Sequence, residues 1–206
     1  MKNLCHRCLL ALGLAFPIAA VADLEKATFE FAKRGYFMAG HEGQQSVGNS
    51  MSQNYPVPNE GAATPSSGKV HLIALPDSPS AFEGKYHGFE VHLVNSTGGD
   101  VLFEAQDGRI SVIQEAQTTL GEWKAIEYLP SSWCGNSYHA VKLRAGHMWK
   151  FIAPRYEGTM KTKLRFILRD GPRELRSNEF DGSVNPKQFT EKEGHTATNI
   201  MDPYNE

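Results

Sequence analysis

Cysteine is scarce in this sequence, and its scarcity argues against a domain stabilised by several disulfides. Only three cysteines occur in 206 residues, and two of them, Cys5 and Cys8, lie close to the N-terminus. Small secreted domains that cannot form a sufficient core usually depend on several disulfides. We therefore expect stability to come from an ordinary hydrophobic core, which a chain of this length can form.

Long apolar runs are also missing, apart from one near the N-terminus. Lys2 and Arg7 precede an apolar stretch over residues 9–20, and a small-residue cleavage pattern follows at Ala20 to Ala22. This order predicts a secretory signal peptide over residues 1–22. The apolar stretch is shorter than the roughly 20 residues that a transmembrane helix needs. We therefore expect an exported protein, periplasmic or extracellular, with no transmembrane anchoring after leader cleavage.

A strong excess of charge is a further absence. The formal net charge is −2, and loss of Lys2 and Arg7 with the leader changes it to about −4. Domains that bind nucleic acid typically carry a clear basic excess. The charge balance therefore predicts no nucleic-acid partner.

Helical periodicity is absent from the middle of the chain, where apolar and polar residues alternate instead. The alternation is clearest at residues 70–74, 89–93, 101–105, 141–143, 149–153 and 164–168. Period two is typical of antiparallel strands that pack one face and expose the other. Turn-forming pairs such as Asp107-Gly108 separate the segments. The pattern predicts an all-β, antiparallel β-sandwich domain over residues 69–186.

The flanking sequence is different in character. Apolar spacing near residue 23 fits either a short helix or a strand, and Gly, Ser, Asn, Gln and Pro dominate from Gly35 to Gly68. Such a composition buries too little apolar surface to offset its ordering entropy. We predict a short ambiguous element and a flexible N-terminal linker over residues 23–68, and a polar C-terminal tail over residues 187–206.

The spacing of the strands, Trp123 and the turn from Pro154 to Gly158 resemble a bacterial secreted immunoglobulin-like β-sandwich domain. The similarity covers about residues 69–180. The paired core cysteines of antibody domains are absent from this sequence. The resemblance implies an immunoglobulin-like arrangement of the strands, and a fold of this kind does not by itself specify a function.

One cysteine, Cys134, remains after the predicted leader. A lone thiol in an exported protein is buried as a small apolar side chain, bound to a metal, paired with another molecule or used as a nucleophile. His139, five residues further on, is the candidate general base for a nucleophilic thiol. These alternatives are all compatible with the sequence.

The metal alternative is a copper site that resembles the ligand loop of cupredoxins. Cys134 and His139 supply a thiolate and an imidazole, and Met148 follows as a candidate axial thioether. A second imidazole is needed from an earlier strand. His87 is the candidate. The other upstream histidine, His92, alternates with apolar neighbours, so its side chain is expected to point to solvent.

A binding surface is suggested by basic residues that share one strand face. Lys161, Lys163, Arg165 and Arg169 alternate with apolar residues in a protein that is acidic overall. Such a face attracts an anionic partner. The alternative interpretation is a solvated outer face whose charges prevent aggregation.

Trp133 and Tyr138 form a second candidate surface, since these side chains combine an apolar body with a hydrogen-bonding group. Trp149 belongs to a strand with inward parity, and we expect it in the core. Asn95-Ser96-Thr97 is an N-glycosylation sequon in a predicted turn.

Together these features predict a non-catalytic exported protein that binds or scaffolds at the cell envelope or outside the cell, without a cofactor. Its expected partner is a protein or an anionic envelope component. The first alternative is a cupredoxin-like copper-binding protein that uses Cys134 and His139. The second is a hydrolase whose chemistry the sequence does not specify.

Overall fold

The computed structural model describes residues 23–30, 33–43, 52–60, 68–128 and 137–190. The predicted signal peptide, Trp133 and Cys134 lie outside the described residues. Within these ranges, the regular elements are β-strands and one short 3-10 helix, Pro186–Phe189. The described part contains no helix with the length and apolarity required to cross a membrane.

The strands are numbered in chain order. They are β1 (Lys33–Arg34), β2 (Val57–Pro58), β3 (Val70–Phe82), β4 (Tyr86–Asn95), β5 (Val101–Gln106), β6 (Arg109–Ile110), β7 (Val112–Gln117), β8 (Trp123–Ala125), β9 (Glu127–Tyr128), β10 (Tyr138–Leu143), β11 (His147–Pro154), β12 (Met160–Asp170), β13 (Arg173–Arg176) and β14 (Phe180–Val184).

Antiparallel pairing organises these strands into three main sheets. One sheet has the order β2-β11-β4-β3, a second has the order β10-β5-β6, and the third has the order β13-β12-β7-β8 with β14 also paired to β12. The remaining pair, β1 with β9, is parallel and two residues long. The prediction of an all-β, antiparallel protein is confirmed, and the arrangement is consistent with a β-sandwich.

The core lies between the sheets and is formed by the alternating apolar residues that the sequence displays. Phe89 on β4 and Phe166 on β12 are buried with their ring centroids 6.0 Å apart, so side chains from different sheets meet directly. Trp149 is fully buried, as expected, and its indole Nε1 donates a hydrogen bond to the Gly40 carbonyl at 2.9 Å. The described ranges contain no cysteine, so packing holds this core together.

The segment near residue 23, whose conformation the sequence left open, is extended where it is described. Ala27 forms a parallel bridge with Tyr156 and is buried, and Lys33–Arg34 is β1. The strand interpretation therefore fits this segment better than the helical one.

The predicted flexible linker packs onto the domain wherever it is described. Phe37 and Ala39 are fully buried. Gly40 lies so close to a neighbouring segment that a Cβ there would be 2.1 Å from the Ser52 carbonyl oxygen. The linker prediction is wrong for these residues, because two isolated apolar side chains that reach the core offset the ordering entropy of the polar sequence around them.

The predicted boundary at residue 186 falls within the folded domain. Gln188, in the 3-10 helix, is fully buried, and its Oε1 accepts a hydrogen bond from the Asn185 amide at 2.9 Å. The folded domain therefore includes the first residues of the predicted tail. Residues 191–206 lie outside the described residues.

His92 differs from its prediction, since it is only 6 % exposed although it shares the outward parity of its strand. Its Nε2 lies 2.7 Å from Glu90 Oε2, and it is opposite Lys150 and Ile73 on the two neighbouring strands. Strand parity assigned the correct face, but that face is covered at His92.

Side chains occupy one edge of β5, where backbone groups would otherwise be unpaired. Asp170 accepts a hydrogen bond from the Glu104 amide at 2.9 Å, and Arg173 donates one to the Leu102 carbonyl at 3.1 Å. These two residues, which flank the turn between β12 and β13, therefore satisfy the edge of β5. Covering an edge in this way opposes pairing with another chain.

Candidate binding surface

Strand β12 presents the predicted basic residues on one side. We call this surface, formed by Lys161, Lys163, Arg165 and Arg169, the β12 face. The two lysines are exposed and the two arginines are half-buried, whereas residues of the opposite parity such as Leu164 are buried. The period-two arrangement that the sequence predicts is therefore present, but its two halves differ in their environment.

The two arginines of the β12 face are paired with a buried glutamate on β7. Glu115 is 3 % exposed and lies opposite Arg165 in the strand ladder. Its carboxylate is 2.7 Å from Arg165 Nη2 and 3.4 Å from Arg169 Nη2. The Arg165 guanidinium also lies over the Trp123 ring, 4.1 Å from the ring centroid. Removing one partner of a buried ion pair is costly, because the other charge is left without a partner; the sheet therefore depends on keeping both sides of this contact.

A small apolar cluster on the same side supports this assignment. Ile113, Ala125 and Ile167 form a buried group separate from the main core. Arg165 and Arg169 flank Ile167 along β12, and long arginine side chains commonly cover neighbouring apolar surface with their stems. The middle of the β12 face is therefore a packed part of the structure.

The lysine end of the β12 face forms an open groove. Its volume is about 520 Å³, and it is lined by Gln117, Lys161, Thr162, Lys163, Asp181 and Gly182; we call it the lysine groove. Lys163 Nζ lies 2.7 Å from Asp181 Oδ1, but both side chains are largely exposed, so this pair is weak. Within the described residues, Lys161 has no carboxylate partner. An approaching anion would thus meet two solvated ammonium groups in a concave site.

The second predicted surface is described only in part. Tyr138 begins β10 and is half-buried, opposite Gln106 of β5. Trp133 lies outside the described residues. The prediction that Trp133 and Tyr138 together form a binding surface stays a prediction.

The residues proposed for copper do not all meet. His87 and Met148 lie at opposite ends of the β4–β11 ladder, since Met148 is opposite Val94 and His87 precedes Gly88, which is opposite Pro154. Seven residues of strand correspond to about 23 Å, far beyond ligand bonds of about 2 Å. The prediction that these two residues bind one ion is therefore wrong, because the antiparallel register separates them.

His139 has a different environment from His87. Its Nδ1 donates a hydrogen bond to the Ser137 carbonyl at 3.1 Å, and its Nε2 is buried with no hydrogen-bond partner among the described residues. A backbone carbonyl on one ring nitrogen is the usual orientation of a metal-binding histidine. Cys134 lies outside the described residues, and in the described ranges no group of three His, Cys, Asp or Glu side chains is arranged to bind a metal. The copper and nucleophile hypotheses for Cys134 with His139 stay predictions.

The sequon asparagine is not accessible. Asn95 is fully buried, and its side-chain Nδ2 donates hydrogen bonds of 2.9 Å to the carbonyls of Gly99 and Leu143. Its Oδ1 accepts a hydrogen bond from the Thr97 hydroxyl at 2.6 Å. Asn95 therefore fixes the turn that follows β4 and is not available for glycosylation in the folded domain.

A buried carboxyl group that the sequence did not identify connects several parts of the chain. Glu127 on β9 is 2 % exposed. The Tyr36 and Tyr156 hydroxyls donate hydrogen bonds to its Oε1 at 2.8 and 2.6 Å, and the Gln114 amide donates one to its Oε2 at 2.8 Å. The alternation around residue 127 predicts an outward side chain, and no local pattern reveals that distant tyrosines enclose it.

Burial dominates the electrostatics of Glu127. Desolvation raises the pKa of its carboxyl from 4.5 to about 7, although the two tyrosine hydroxyls, the Gln114 amide and Lys33 favour the charged form. Burial, followed by the nearby carboxylate, raises the pKa of Tyr36 and Tyr156 well above 10. The cluster therefore contains a carboxyl group that changes its charge near neutral pH inside the domain.

Comparison with known proteins gives no relative from which a role could be transferred. No family model, curated protein or solved structure matches this chain. Its function must therefore be inferred from the chemistry of its own residues.

Proposed function

We propose that this chain is an exported, non-catalytic binding protein that attaches to an anionic component of the cell envelope through the lysine groove. The proposal includes export by the predicted leader over residues 1–22 and an immunoglobulin-like arrangement of the sandwich. The observation that carries it is the pair of exposed lysines, Lys161 and Lys163, in a concave site of about 520 Å³.

Charge in the lysine groove is available to a partner, in contrast to the rest of the β12 face. Arg165 and Arg169 are committed to buried Glu115. Among the described residues, Lys163 is paired only with the exposed Asp181, and an exposed pair contributes little. An anionic surface attracts each nearby lysine by about 1 kcal/mol, and the attraction decreases with salt.

The environment of Glu127 supports a non-catalytic role. A carboxyl group with a strongly raised pKa is a candidate acid or base when it faces a cleft. Glu127 is instead 2 % exposed, with tyrosine hydroxyls and a backbone amide occupying its oxygens. Its arrangement fits a structural role inside the core.

The test is co-sedimentation of the purified protein with phosphatidylcholine vesicles that contain phosphatidylglycerol, and with a soluble polyphosphate polymer as a second anionic probe. Replacing both lysines with methionine removes about 2 kcal/mol, or roughly thirtyfold in affinity. The charge reversal K161E/K163E should weaken binding further. The matched control is K69E/K150E, which makes the same charge change at two exposed lysines. Lys150 is on β11 and Lys69 directly precedes β3, so both belong to the β2-β11-β4-β3 sheet, away from the β12 face.

Salt-sensitive binding to either probe that is lost in K161E/K163E and kept in K69E/K150E supports the proposal. Binding that both double variants retain equally would refute the lysine groove. If the wild-type protein binds neither probe at low salt, the anionic-partner proposal fails.

His139 favours one second candidate function, the cupredoxin-like copper protein. Its buried Nε2, which has no hydrogen-bond partner in the described part of the chain, and its carbonyl-bound Nδ1 suit a metal ligand. Cys134 would supply the thiolate. Titration with Cu(II) tests this candidate: an intense visible thiolate absorption that disappears in Cys134→Ser supports it, and a colourless titration rejects it.

A further inference from the structure

A separate cavity lies at the rim of the domain, beside the irregular part of β3. The β3–β4 register shifts between Leu75 and Pro79, so that three residues of β3 bulge away from β4. Next to this bulge is a cavity of about 260 Å³, lined by Leu24, Pro79, Ser80, His87, Gly88 and Arg155. Bulges frequently occur where a strand edge is reshaped around a site.

Arg155 is held firmly in this cavity while most of its donors stay available. Its guanidinium lies over the Phe89 ring, 5.3 Å from the centroid, and donates a hydrogen bond to the Pro76 carbonyl in the bulge. A guanidinium has five N–H donors, so four have no partner within the described ranges after the bond to Pro76. A guanidinium fixed by an aromatic ring and a carbonyl is preorganised for a planar anion.

His87 is oriented by a carboxylate whose charge is already balanced. Its Nδ1 lies 3.2 Å from Glu157 Oε1, and the other oxygen of Glu157 lies 3.0 Å from Lys26 Nζ. Glu157 therefore fixes the imidazole ring and is itself neutralised by Lys26. The second ring nitrogen, Nε2, has no hydrogen-bond partner within the described residues.

We propose that this rim cavity binds a small organic carboxylate. Arg155 would bind the two carboxylate oxygens through paired N–H groups, the geometry in which arginine recognises carboxylates most strongly. The imidazolium form of His87, with Nδ1–H donated to Glu157, would donate Nε2–H to the same group, and Leu24 and Pro79 would contact a short apolar body. The cavity is distinct from the lysine groove, and the proposal does not depend on the proposed function.

Three features favour a carboxylate with an apolar body over a bare inorganic anion. The cavity is lined partly by the apolar side chains of Leu24 and Pro79, against which an apolar body can pack. Its single guanidinium matches a planar two-oxygen group. Its volume also exceeds the space that one small oxyanion fills, so an organic body has room to pack.

The test is isothermal titration of the full chain with butyrate, with butyramide and inorganic phosphate as comparison ligands. We expect saturable butyrate binding at about millimolar concentration. Butyramide, which has the same shape without the charge, should bind at least tenfold more weakly, and so should phosphate.

The variants are Arg155→Met, Arg155→Lys and, as a matched control, Arg144→Met, which removes an exposed arginine elsewhere. Arg155→Met should weaken butyrate at least tenfold, Arg155→Lys should weaken it less, and Arg144→Met should leave it unchanged. If Arg155→Met does not fold, the comparison of butyrate with butyramide on the wild-type protein still decides. No saturable butyrate binding, equal affinity for butyramide, tighter binding of phosphate than of butyrate, or unchanged affinity in a folded Arg155→Met would each overturn the proposal.

Discussion

Replacing Glu127 with glutamine is expected to remove a large pH dependence from the stability of the domain. The carboxyl group keeps a proton in the folded state up to about pH 7, whereas in the unfolded chain it loses that proton near its ordinary pKa of 4.5. The folded state therefore binds more protons in this window. The resulting stabilisation is complete below about pH 4.5 and is lost as the pH rises through about 7.

The magnitude follows from the difference between the two values. About 2.5 pH units at about 1.36 kcal/mol each gives about 3 kcal/mol of stability that disappears between pH 4.5 and 7. The hydroxyls of Tyr36 and Tyr156 stay protonated over this range, because burial raises their pKa values well above 10. Glu127→Gln has no charge to lose, so this contribution vanishes in the variant.

The assay is urea unfolding of both proteins at several pH values between about 4.5 and 8. Subtracting the variant removes the titration of the other carboxylates, and the difference should fall by about 3 kcal/mol across the window. Tyr36→Phe is the matched companion. It removes a hydrogen bond that lowers the pKa of Glu127, so the decline should move to higher pH. A wild-type-minus-Glu127→Gln difference that stays constant with pH would refute the reasoning.

Three further predictions concern buried polar groups. Gln114 is fully buried, and neither the oxygen nor the nitrogen of its side-chain amide has a hydrogen-bond partner within the described residues. Gln114→Met should therefore raise the free energy of unfolding by about 1–3 kcal/mol in urea titration. A lower free energy of unfolding would contradict this. Glu115→Ala should lower the free energy of unfolding by about 3 kcal/mol, because the substitution leaves the charges of Arg165 and Arg169 without their buried partner. A change below about 1 kcal/mol would show that these ion pairs are dispensable. Asn95→Ala should lower the free energy of unfolding by about 1–3 kcal/mol in urea titration, because the carbonyls of Gly99 and Leu143 lose their hydrogen-bond donor; an unchanged free energy of unfolding would contradict this.

Strand parity in the sequence predicted much of the core, because its information is local. Phe89, Val91 and Leu93 alternate along a strand whose inward face is the core, and all three are buried. The same alternation placed the lysines of the β12 face outside correctly. Such patterns succeed wherever one strand face packs and the other is solvated.

The failures arise where burial depends on distant residues. Phe37 lies in a polar stretch with no periodicity, yet it packs between the rings of Phe151 and Phe166. Glu127 lies on a short strand that pairs with β1, about ninety residues earlier, and Tyr36 from the same early segment covers it. Local alternation contains no information about such pairing.

The candidate site likewise contains features that local sequence predicts and features that depend on distant residues. The sequence identified the four basic residues, but it did not reveal that both arginines pair with Glu115, since that contact depends on the register of β7 against β12. The separation of His87 from Met148 likewise depends on the antiparallel register. Residue types were therefore predictable, whereas their electrostatic partners were not.

The most direct measurement for the lysine groove is lysine footprinting with an amine-reactive ester, read by mass spectrometry, in the presence and absence of phosphatidylglycerol vesicles. Our account predicts that vesicles slow the labelling of Lys161 and Lys163, while Lys69 and Lys150 react as fast as in the free protein. Unchanged labelling of Lys161 and Lys163, with protection appearing at Lys69 or Lys150, would contradict it.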